Sequence, residues 1–286
     1  MSEEILTEWL TGDSGYCFRT SQPLLDFHSD YQHVQLFESP RFGKLLRLDD
    51  CFMTSEKDEF FYHENIVHPA AVTHPSLRRV LVIGGGDGGA CEEILKHPSI
   101  EKVILAELDQ AVIDVSKEHL TSIHRGAMDD PRLELRIGDG AAFVRETAER
   151  FDLVILDLTD PVGEAVALYQ REFFAACRNV LNPGGALTMH IGAPAFHPER
   201  VSEITANLRQ VFAIVRPYLV TVPLYGAQWG FACASDSLDP LSLSEEEVEQ
   251  RIAERKLQDL QFYNGATHRG IFALPNFVKR LTEPEN

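Results

Sequence analysis

The middle of this chain of 286 residues contains five short, mostly apolar runs, which limit the choice of folds more than any other feature. Such runs are typical of strands that are buried on both faces of a parallel sheet. Helical patterns, one starting near Ala90 and one over residues 112–120, alternate with the runs. Strands that alternate with helices predict right-handed βαβ units, and therefore an α/β fold with a doubly wound, Rossmann-like sheet. The five runs are residues 80–83, 103–106, 133–137, 153–156 and 186–191.

The beginning of the chain has a different character. Residues 1–75 contain short extended segments separated by turn sequences such as Arg41-Phe42-Gly43, which is typical of a small antiparallel β region. We therefore predict an N-terminal β domain over 1–75, whose place before a complete sheet suggests oligomerisation, and a Rossmann-like domain over 76–286. The extended segments of the N-terminal part are residues 16–20, 33–38 and 44–48.

The C-terminal part predicts two further features. Residues 214–222 and 229–234 have the composition of two strands that form a closing hairpin. Ser244, with Glu247 three positions later, fits a capping box and predicts the start of a helix.

Composition excludes several classes of protein. The chain has 26 Lys and Arg against 44 Asp and Glu, a formal net charge of −18, so it lacks the basic balance that binds nucleic-acid phosphates. The acidic start Met1-Ser2-Glu3-Glu4 does not resemble a signal peptide, and no apolar run approaches the roughly 20 residues that span a bilayer. Five scattered cysteines without a CxxC pair predict reduced thiols, a cytoplasmic location and no structural zinc site.

A glycine-rich loop follows the first apolar run. Gly84, Gly86 and Gly89 satisfy the GxGxxG pattern, which permits a tight turn and directs a helix N-terminus at a ligand. Glu107 follows the second run, twenty residues after Asp87, where a carboxylate can accept hydrogen bonds from ribose hydroxyls. The pair predicts a ligand that contains a nucleoside, and the alternative is a tight strand–helix turn in a fold that binds no nucleotide.

Acidic residues follow all four of the first apolar runs. A carboxylate inside the glycine loop disfavours a dinucleotide, because it would repel the pyrophosphate. Ligands of open parallel sheets bind beyond the carboxyl ends of the strands, so these acids predict a negative pocket for a cationic ligand that carries adenosine. The alternative for Asp139 and Asp160 is that each caps a helix N-terminus. The acids are Asp87, Glu107, Asp139, Asp157 and Asp160.

Four motifs in this order resemble the polyamine aminopropyltransferases, the spermidine synthase family. They are DEFFYHE at 58–64, GGGDGG at 84–89, GDG at 138–140 and DLTDPVG at 157–163, and the resemblance extends over nearly the whole chain. It implies a methyltransferase-type Rossmann-like sheet and transfer of the aminopropyl group of decarboxylated S-adenosylmethionine to putrescine or a related amine, with release of methylthioadenosine. It also implies a homodimer or homotetramer and neither a metal nor a cofactor beyond this co-substrate.

The same resemblance implies the donor residues. Asp87 would also select the donor, since a fixed carboxylate repels the carboxylate of ordinary S-adenosylmethionine and pairs with the amine of the decarboxylated form. The six implied residues are Gln32, His63 and Asp87 at the aminopropyl end, Glu107 at the ribose, and Asp139 with Gly140 at the adenine.

Asp157 is implied as the general base, and Tyr62, Asp160 and Tyr225 as the residues that hold the acceptor amine. The chemistry agrees with these assignments. A primary amine is protonated at pH 7, with a pKa of about 10.4 in lysine, and must lose a proton before it attacks. The donor is a sulfonium, so the neutral thioether leaves without acid catalysis. Tyrosine rings and a further carboxylate can hold a distant ammonium group.

Four features depart from the family pattern, and all fall near the acceptor or the segment that follows Asp157. One is the stretch 225–229, which is a residue shorter than the Tyr-Pro stretch of the family. Leu158 replaces a small polar residue, Glu164 replaces a proline, and His190 replaces a glutamine. Leu158 and Glu164 are candidates for acceptor selection, although Glu164 fits a solvated loop carboxylate equally well. Agmatine and spermidine therefore remain alternatives to putrescine, with aminopropylagmatine, spermine or thermospermine as products. Glu59, within the first motif, fits an ordinary surface or structural acid.

Three rival functions are compatible with parts of the pattern. An S-adenosylmethionine-dependent methyltransferase would share the fold, but Asp87 and Asp157 argue against it, and methyl transfer would restore it. A nicotinamide-dependent oxidoreductase would need hydride chemistry that the sequence does not contain. A non-catalytic polyamine-binding protein would not need Asp157, and binding without methylthioadenosine release would favour it.

Overall fold

The protein contains an N-terminal β part and a central α/β sheet in this computed structural model. Residues 4–161 and 163–283 are described, with the side chain of Glu164 outside the description. The N-terminal part consists of a two-stranded hairpin, β1–β2, and an antiparallel sheet in the order β3-β4-β5-β6. These strands are β1 Glu4–Trp9, β2 Gly15–Thr20, β3 Leu25–His28, β4 His33–Ser39, β5 Gly43–Leu48 and β6 Cys51–Ser55.

The central sheet has seven strands in the order β12-β13-β11-β10-β7-β8-β9. The five strands from β7 to β11 are parallel, and β12 and β13 form an antiparallel hairpin at one edge. The predicted Rossmann-like sheet and closing hairpin are therefore confirmed. The strands are β7 Arg79–Gly84, β8 Lys102–Glu107, β9 Leu133–Ile137, β10 Phe151–Asp157, β11 Leu181–Gly192, β12 Ile214–Val222 and β13 Ala227–Ser235.

Helices cover both faces of this sheet. Within β7, Val80 and Val82 pack towards the layer of α1 and α2, whereas Leu81 and Ile83 pack towards the layer of α5, α6 and α7. Because both faces are buried, β7, β8 and β10 have nearly continuous apolar composition. The edge strand β9 is only half-buried and also contains charged residues. The helices are α1 Phe60–Thr73, α2 Gly89–Leu95, α3 Gln110–His119, α4 Thr121–His124, α5 Gly140–Glu146, α6 Arg171–Asn179, α7 Pro198–Arg209, α8 Glu245–Arg255, α9 Gly265–Ile271 and α10 Asn276–Thr282.

Helix α8 begins with the predicted capping box, in which Ser244 and Glu247 hold each other's backbone N–H groups. Helix α1, by contrast, lies inside the segment predicted to be purely β. It is buried on nearly all sides against the central sheet and contains Pro69, so its sequence shows no amphipathic period. No helix in the described residues is long and apolar enough to cross a membrane.

Candidate active site

The glycine loop between β7 and α2 lets two other elements approach closely. Gly85 has a positive φ of 70°, and a Cβ there would lie 2.5 Å from Oδ2 of Asp157. A Cβ on Gly89 would lie 2.2 Å from Cε1 of His63 on α1. Side chains at these positions would push α1 and the end of β10 away from the loop. Gly84 ends β7, and Gly86 faces the Glu107 side chain.

Three predicted residues meet around this loop. The polar atoms of His63, Asp87 and Asp157 lie within 4.8 Å of one another. A cation fits this spacing. Both ring nitrogens of His63 face carboxylates, however, with Nδ1 2.8 Å from Glu59 Oε2 and Nε2 3.3 Å from Asp87 Oδ2. The ring is therefore a double hydrogen-bond donor, an imidazolium, rather than a metal ligand.

The charges in this cluster support one another. Burial disfavours the imidazolium, but Asp87 and Glu59 outweigh it and raise the pKa of His63 well above its ordinary value. Burial would likewise raise the pKa of Asp87, yet His63 and the Gly89 N–H lower it below the ordinary range. Asp87 is thus an ionised carboxylate in a buried position.

Asp157 ends β10 and differs from Asp87. Burial, and then the negative charge of Asp87, raise the pKa of Asp157 to about 6, while His63 and a hydrogen bond from Tyr62 oppose the increase. Its Oδ2 atom is buried and has no hydrogen-bond partner among the described residues. A buried carboxylate oxygen without a partner, ionised near neutral pH, is suited to accept a proton from a ligand.

Glu107, at the end of β8, is held by its own loop. Its Oε1 accepts the backbone N–H of Asp109 at 2.9 Å, and burial raises its pKa to about 7. Asp109 accepts hydrogen bonds from Gln32 Nε2 at 2.9 Å and from Ser29 Oγ at 2.6 Å. Gln32 therefore lies at the Glu107 end of the cluster and connects β4's preceding loop to the sheet.

The adjacent strand, β9, contributes Asp139 and Gly140. Asp139 caps α5 by accepting the N–H of Ala141 at 2.7 Å, which is the alternative that the sequence left open. Gly140 packs on Ile83. The loop also returns to β8, because Gly138 N–H donates to the carbonyl of Glu107 at 2.8 Å. The ends of β7, β8 and β9 thus form one continuous edge.

Two of the predicted acceptor residues, Tyr62 and Tyr225, lie close to Asp157, and Tyr62 donates a hydrogen bond to it. The rings of Tyr62 and Tyr225 are 5.9 Å apart, nearly perpendicular. The Tyr225 hydroxyl donates to the carbonyl of Met53 at 2.7 Å, which leaves its ring as the surface for a ligand. Asp160 caps no helix and instead pairs with Arg200 at 2.5 Å.

His190 holds the loop that follows Asp157. Its Nε2 donates to the Leu158 carbonyl at 2.8 Å and lies 2.8 Å from the Tyr169 hydroxyl, which donates to the Thr159 carbonyl. The Trp229 indole N–H donates to its Nδ1 at 3.4 Å. Burial lowers the pKa of His190, so the ring is neutral. Leu158 is therefore fixed through its backbone.

Glu164, the second acceptor-selection candidate, falls in the 3₁₀ segment Gly163–Tyr169, and its side chain lies outside the described part of the chain.

Sequence reasoning missed a carboxylate at this side. Glu8 on β1 accepts the N–H of Phe52 and is close enough to Asp160 for the two charges to interact. Burial raises the pKa of Glu8 to about 7. No motif marks Glu8, because its neighbours come from distant segments of the chain. Arg200 and Asp109 were missed for the same reason, and Glu59, although it lies in the first motif, was interpreted as an ordinary acid.

The arrangement combines an edge of three strand ends that carry acids, a buried carboxylate at Asp157 and a pair of tyrosine rings with further acids. It can hold a cationic nucleoside derivative on one side of Asp157 and an amine on the other. An amine between them would lose its proton to Asp157 and attack the nucleoside derivative.

Comparisons with known proteins agree with this geometry. The chain matches the family model of the spermine/spermidine synthase domain over residues 59–246 and that of the spermidine synthase tetramerisation domain over residues 7–56. A polyamine aminopropyltransferase from Nitrosomonas europaea is 50% identical over 285 residues, 99% of this chain and 88% of the relative. One from Thermoanaerobacter sp. is 38% identical over 93% of this chain and 94% of its own.

Two solved structures have the same fold. A spermidine synthase in complex with the transition-state analogue AdoDATO superposes with a TM-score of 0.91 at 37% identity, covering 98% of this chain and 94% of that one. The spermidine synthase from Thermotoga maritima superposes with a TM-score of 0.88 at 34% identity and the same coverage.

Proposed function

Because the chain belongs to the spermine/spermidine synthase family and is an aminopropyltransferase, we propose that it transfers the aminopropyl group of decarboxylated S-adenosylmethionine to putrescine. The products are spermidine, methylthioadenosine and a proton. The observation that carries the proposal is Asp157, a carboxylate with a buried, unpartnered oxygen and a pKa of about 6, placed between the acidic edge and the tyrosine pair.

The reaction is a single displacement. The attacking amine gives its proton to Asp157, and its lone pair forms the new C–N bond. The C–S bond breaks at the same carbon, and the bonding electrons leave with sulfur as a neutral thioether. The sulfonium charge is lost in this step, so the site does not need to stabilise a developing anion.

On the donor side, we assign Glu107, with Gln32 beside it through Asp109, to the ribose hydroxyls, Asp139 with Gly140 to the adenine, and His63 and Asp87 to the aminopropyl end. Support for this comes from the three adjacent strand ends that carry the acids. The ionised state of Asp87 suits a primary ammonium group.

On the acceptor side, we assign the attacking amine to Asp157 and Tyr62 and the distant ammonium to Asp160, Glu8 and the Tyr225 ring. Carboxylates on both sides of the tyrosine pair favour a diamine over a monoamine. Agmatine and spermidine remain alternatives, since they also carry a second cation.

The experiment measures methylthioadenosine release from decarboxylated S-adenosylmethionine with putrescine, cadaverine, agmatine and spermidine in parallel, and with Asp157→Asn as control. We expect the fastest release with putrescine and none above background in the control. Faster release with agmatine or spermidine would reassign the acceptor. No release with any amine, together with methyl transfer from S-adenosylmethionine, would replace the proposal with a methyltransferase.

We further propose an N-terminal β domain that joins subunits into a homo-oligomer, a tetramer. The match to a tetramerisation domain supports the oligomer, as do Ile5 and Trp9 on β1, each 68% exposed.

Five free cysteines support a cytoplasmic location. The net charge of −18 argues against nucleic acid as a partner, and we expect no membrane partner either. We expect full activity after treatment with a chelator, because no step above uses a metal.

A further inference from the structure

Helix α1 takes part in two buried histidine–glutamate pairs that look alike locally. His63 Nδ1 lies 2.8 Å from Glu59 Oε2, and His68 Nε2 lies 2.9 Å from Glu93 Oε2. All four side chains are at most 3% exposed. Neither glutamate touches the ligand positions assigned above.

The two pairs differ in what lies beyond them. The second ring nitrogen of His63 faces Asp87, whereas that of His68 faces the ring of His97 at 3.2 Å. The second oxygen of Glu59 accepts a hydrogen bond from Arg125 at 2.9 Å, and Arg125 also reaches Glu92 at 3.0 Å. The His63–Glu59 pair therefore connects a partly exposed arginine, Arg125, to the active site. The His68–Glu93 pair has no contact with Asp87 or Asp157.

We propose that Glu59 is a positioning residue for the aminopropyl transfer: it holds His63 as an imidazolium whose Nε2–H points at Asp87, and that positive charge keeps Asp157 available as a base. The inference rests on the function proposed above. It gives Glu59 a role through His63 and not through contact with a substrate.

The argument is one of hydrogen-bond capacity. A neutral imidazole has one N–H, and two carboxylates on its two nitrogens require two. Glu59 supplies the second carboxylate, and Arg125 offsets its charge at the protein surface. With glutamine at position 59, a neutral ring still donates Nε2–H to Asp87 and accepts an amide N–H at Nδ1. The ring keeps its place but loses its charge.

The lost charge has a defined consequence for the base. The His63 cation opposes the increase in the pKa of Asp157 that burial and Asp87 cause. Without it, the pKa of Asp157 rises further. The charged groups that act on His63 are Asp58 and Glu59 just before α1, Asp87 in the glycine loop and Asp157 at the end of β10. Two further groups act on its partners: Thr54 on β6 bonds to Asp87, and Arg125 at the end of α4 pairs with Glu59. The ring of Tyr62 packs edge-on against the His63 ring.

The first test uses the wild-type protein without substrates. Long-range ¹H–¹⁵N NMR of the histidine rings, with His63 assigned by the signal missing in His63→Gln, reports the protonation of each nitrogen. We expect both His63 nitrogens to be protonated up to pH 8. A neutral His63 at pH 7 overturns the proposal, and this result does not depend on whether the protein transfers aminopropyl groups.

The second test compares Glu59→Gln with the matched control Glu93→Gln. We expect E59Q to make His63 neutral at pH 8 and to move the acid limb of the kcat/KM profile up by about 1 pH unit. E93Q should lower the melting temperature without moving that limb. An unmoved limb in E59Q, or an equal shift in E93Q, contradicts the proposal. If E59Q does not fold, the wild-type NMR result decides.

These tests separate the inference from the proposed function. A wild-type protein that releases no methylthioadenosine would remove the function while the His63 signals could still be those of an imidazolium. A charged His63 with an unshifted E59Q profile would remove the inference while leaving the function intact.

Discussion

The proposed donor and acceptor sides of Asp157 are built in opposite ways. On the donor side, four acids each accept the backbone N–H of the residue two positions later, at 2.7–2.9 Å. Each carboxylate is therefore oriented by its own strand-end turn. The four acids are Asp87, Glu107, Asp109 and Asp139.

The acceptor side has no such local pattern. Asp160 is held by Arg200, forty residues later in the chain, and Tyr225 by the carbonyl of Met53, 172 residues earlier. Glu8 is held by the backbone of Phe52. The acceptor side thus depends on how the N-terminal sheets pack against the central sheet.

This difference separates two kinds of change. A substitution on the donor side alters one side-chain contact, while the turns that hold the neighbouring carboxylates keep their positions. A substitution on the acceptor side also alters the packing of the distant segments that hold the neighbouring side chains. Leu158, Glu164 and His190, which depart from the family pattern, belong to the acceptor side, so a change of amine there is expected to change the packing around it as well.

The largest effect is expected where the two sides meet. Asp157→Asn removes the base but keeps its size, so kcat should fall by about 10²–10⁴-fold. Steady-state release of methylthioadenosine measures the loss, and equilibrium binding of methylthioadenosine serves as the control, which should change little. A kcat within tenfold of wild type would contradict the role of Asp157.

The pH profile tests the same residue without a mutation. Because the pKa of Asp157 is raised to about 6, the base is ionised above that pH, and kcat/KM should fall by about tenfold per unit below it. Glu107, with a pKa of about 7, titrates nearby. The pH dependence of methylthioadenosine affinity reports Glu107 alone and separates the two. A profile that is flat down to pH 5 would exclude Asp157 as the base.

Asp87→Asn tests the donor side. Loss of one charged contact to the donor ammonium should raise the donor KM by about 10–100-fold, corresponding to about 1.5–3 kcal/mol. The acceptor KM should stay within twofold. The variant should also gain activity with ordinary S-adenosylmethionine, since the repelling carboxylate is gone. No gain with the carboxylated donor would show that Asp87 does not select between the two.

Glu8→Gln tests the acceptor side. Removing a carboxylate near Asp160 should raise the acceptor KM by about fivefold, close to 1 kcal/mol, and leave the donor KM unchanged. The matched control is Glu38→Gln, an exposed residue on β4, which should alter neither constant. Equal changes in both KM values for Glu8→Gln would mean that it disturbs the packing of β1 instead.

The same contrast explains what the sequence could predict. Strands of mostly apolar composition are visible as runs, so β7 to β11 were found. Acids follow the first runs closely, so Asp87, Glu107 and Asp139 were found, whereas Asp109 on the same side was not. Helix α1 was missed because it is buried all round and has no amphipathic period. Its first residues carry Tyr62 and His63, which only the family motif indicated.

Residues held by distant partners were found least well. Nothing around Glu8 or Arg200 in the sequence indicates that they face Asp160, because those contacts exist only after the hairpin, the loop and α7 have packed together. Glu59 was interpreted as an ordinary acid for the same reason: its partner Arg125 lies on α4's end, 66 residues away. A sequence motif therefore predicts contacts between residues that are close in the sequence, but not contacts between segments that meet only in the folded protein.

The smallest expected effect is that of Tyr225→Phe, and it discriminates most finely between ring and hydroxyl. The hydroxyl is occupied by the Met53 carbonyl, so it is not free to bind the amine, and the ring alone faces Tyr62. We expect the acceptor KM to change by about twofold at most, while the unfolding free energy falls by about 1 kcal/mol through the lost hydrogen bond. Thermal melting and acceptor titrations measure the two quantities separately.

A tenfold rise in the acceptor KM without a change in melting temperature would mean that the hydroxyl leaves Met53 and binds the amine directly. The acceptor side would then rearrange on binding, and the donor side, whose acids are held by their own backbone, would be the only part of the site formed in advance.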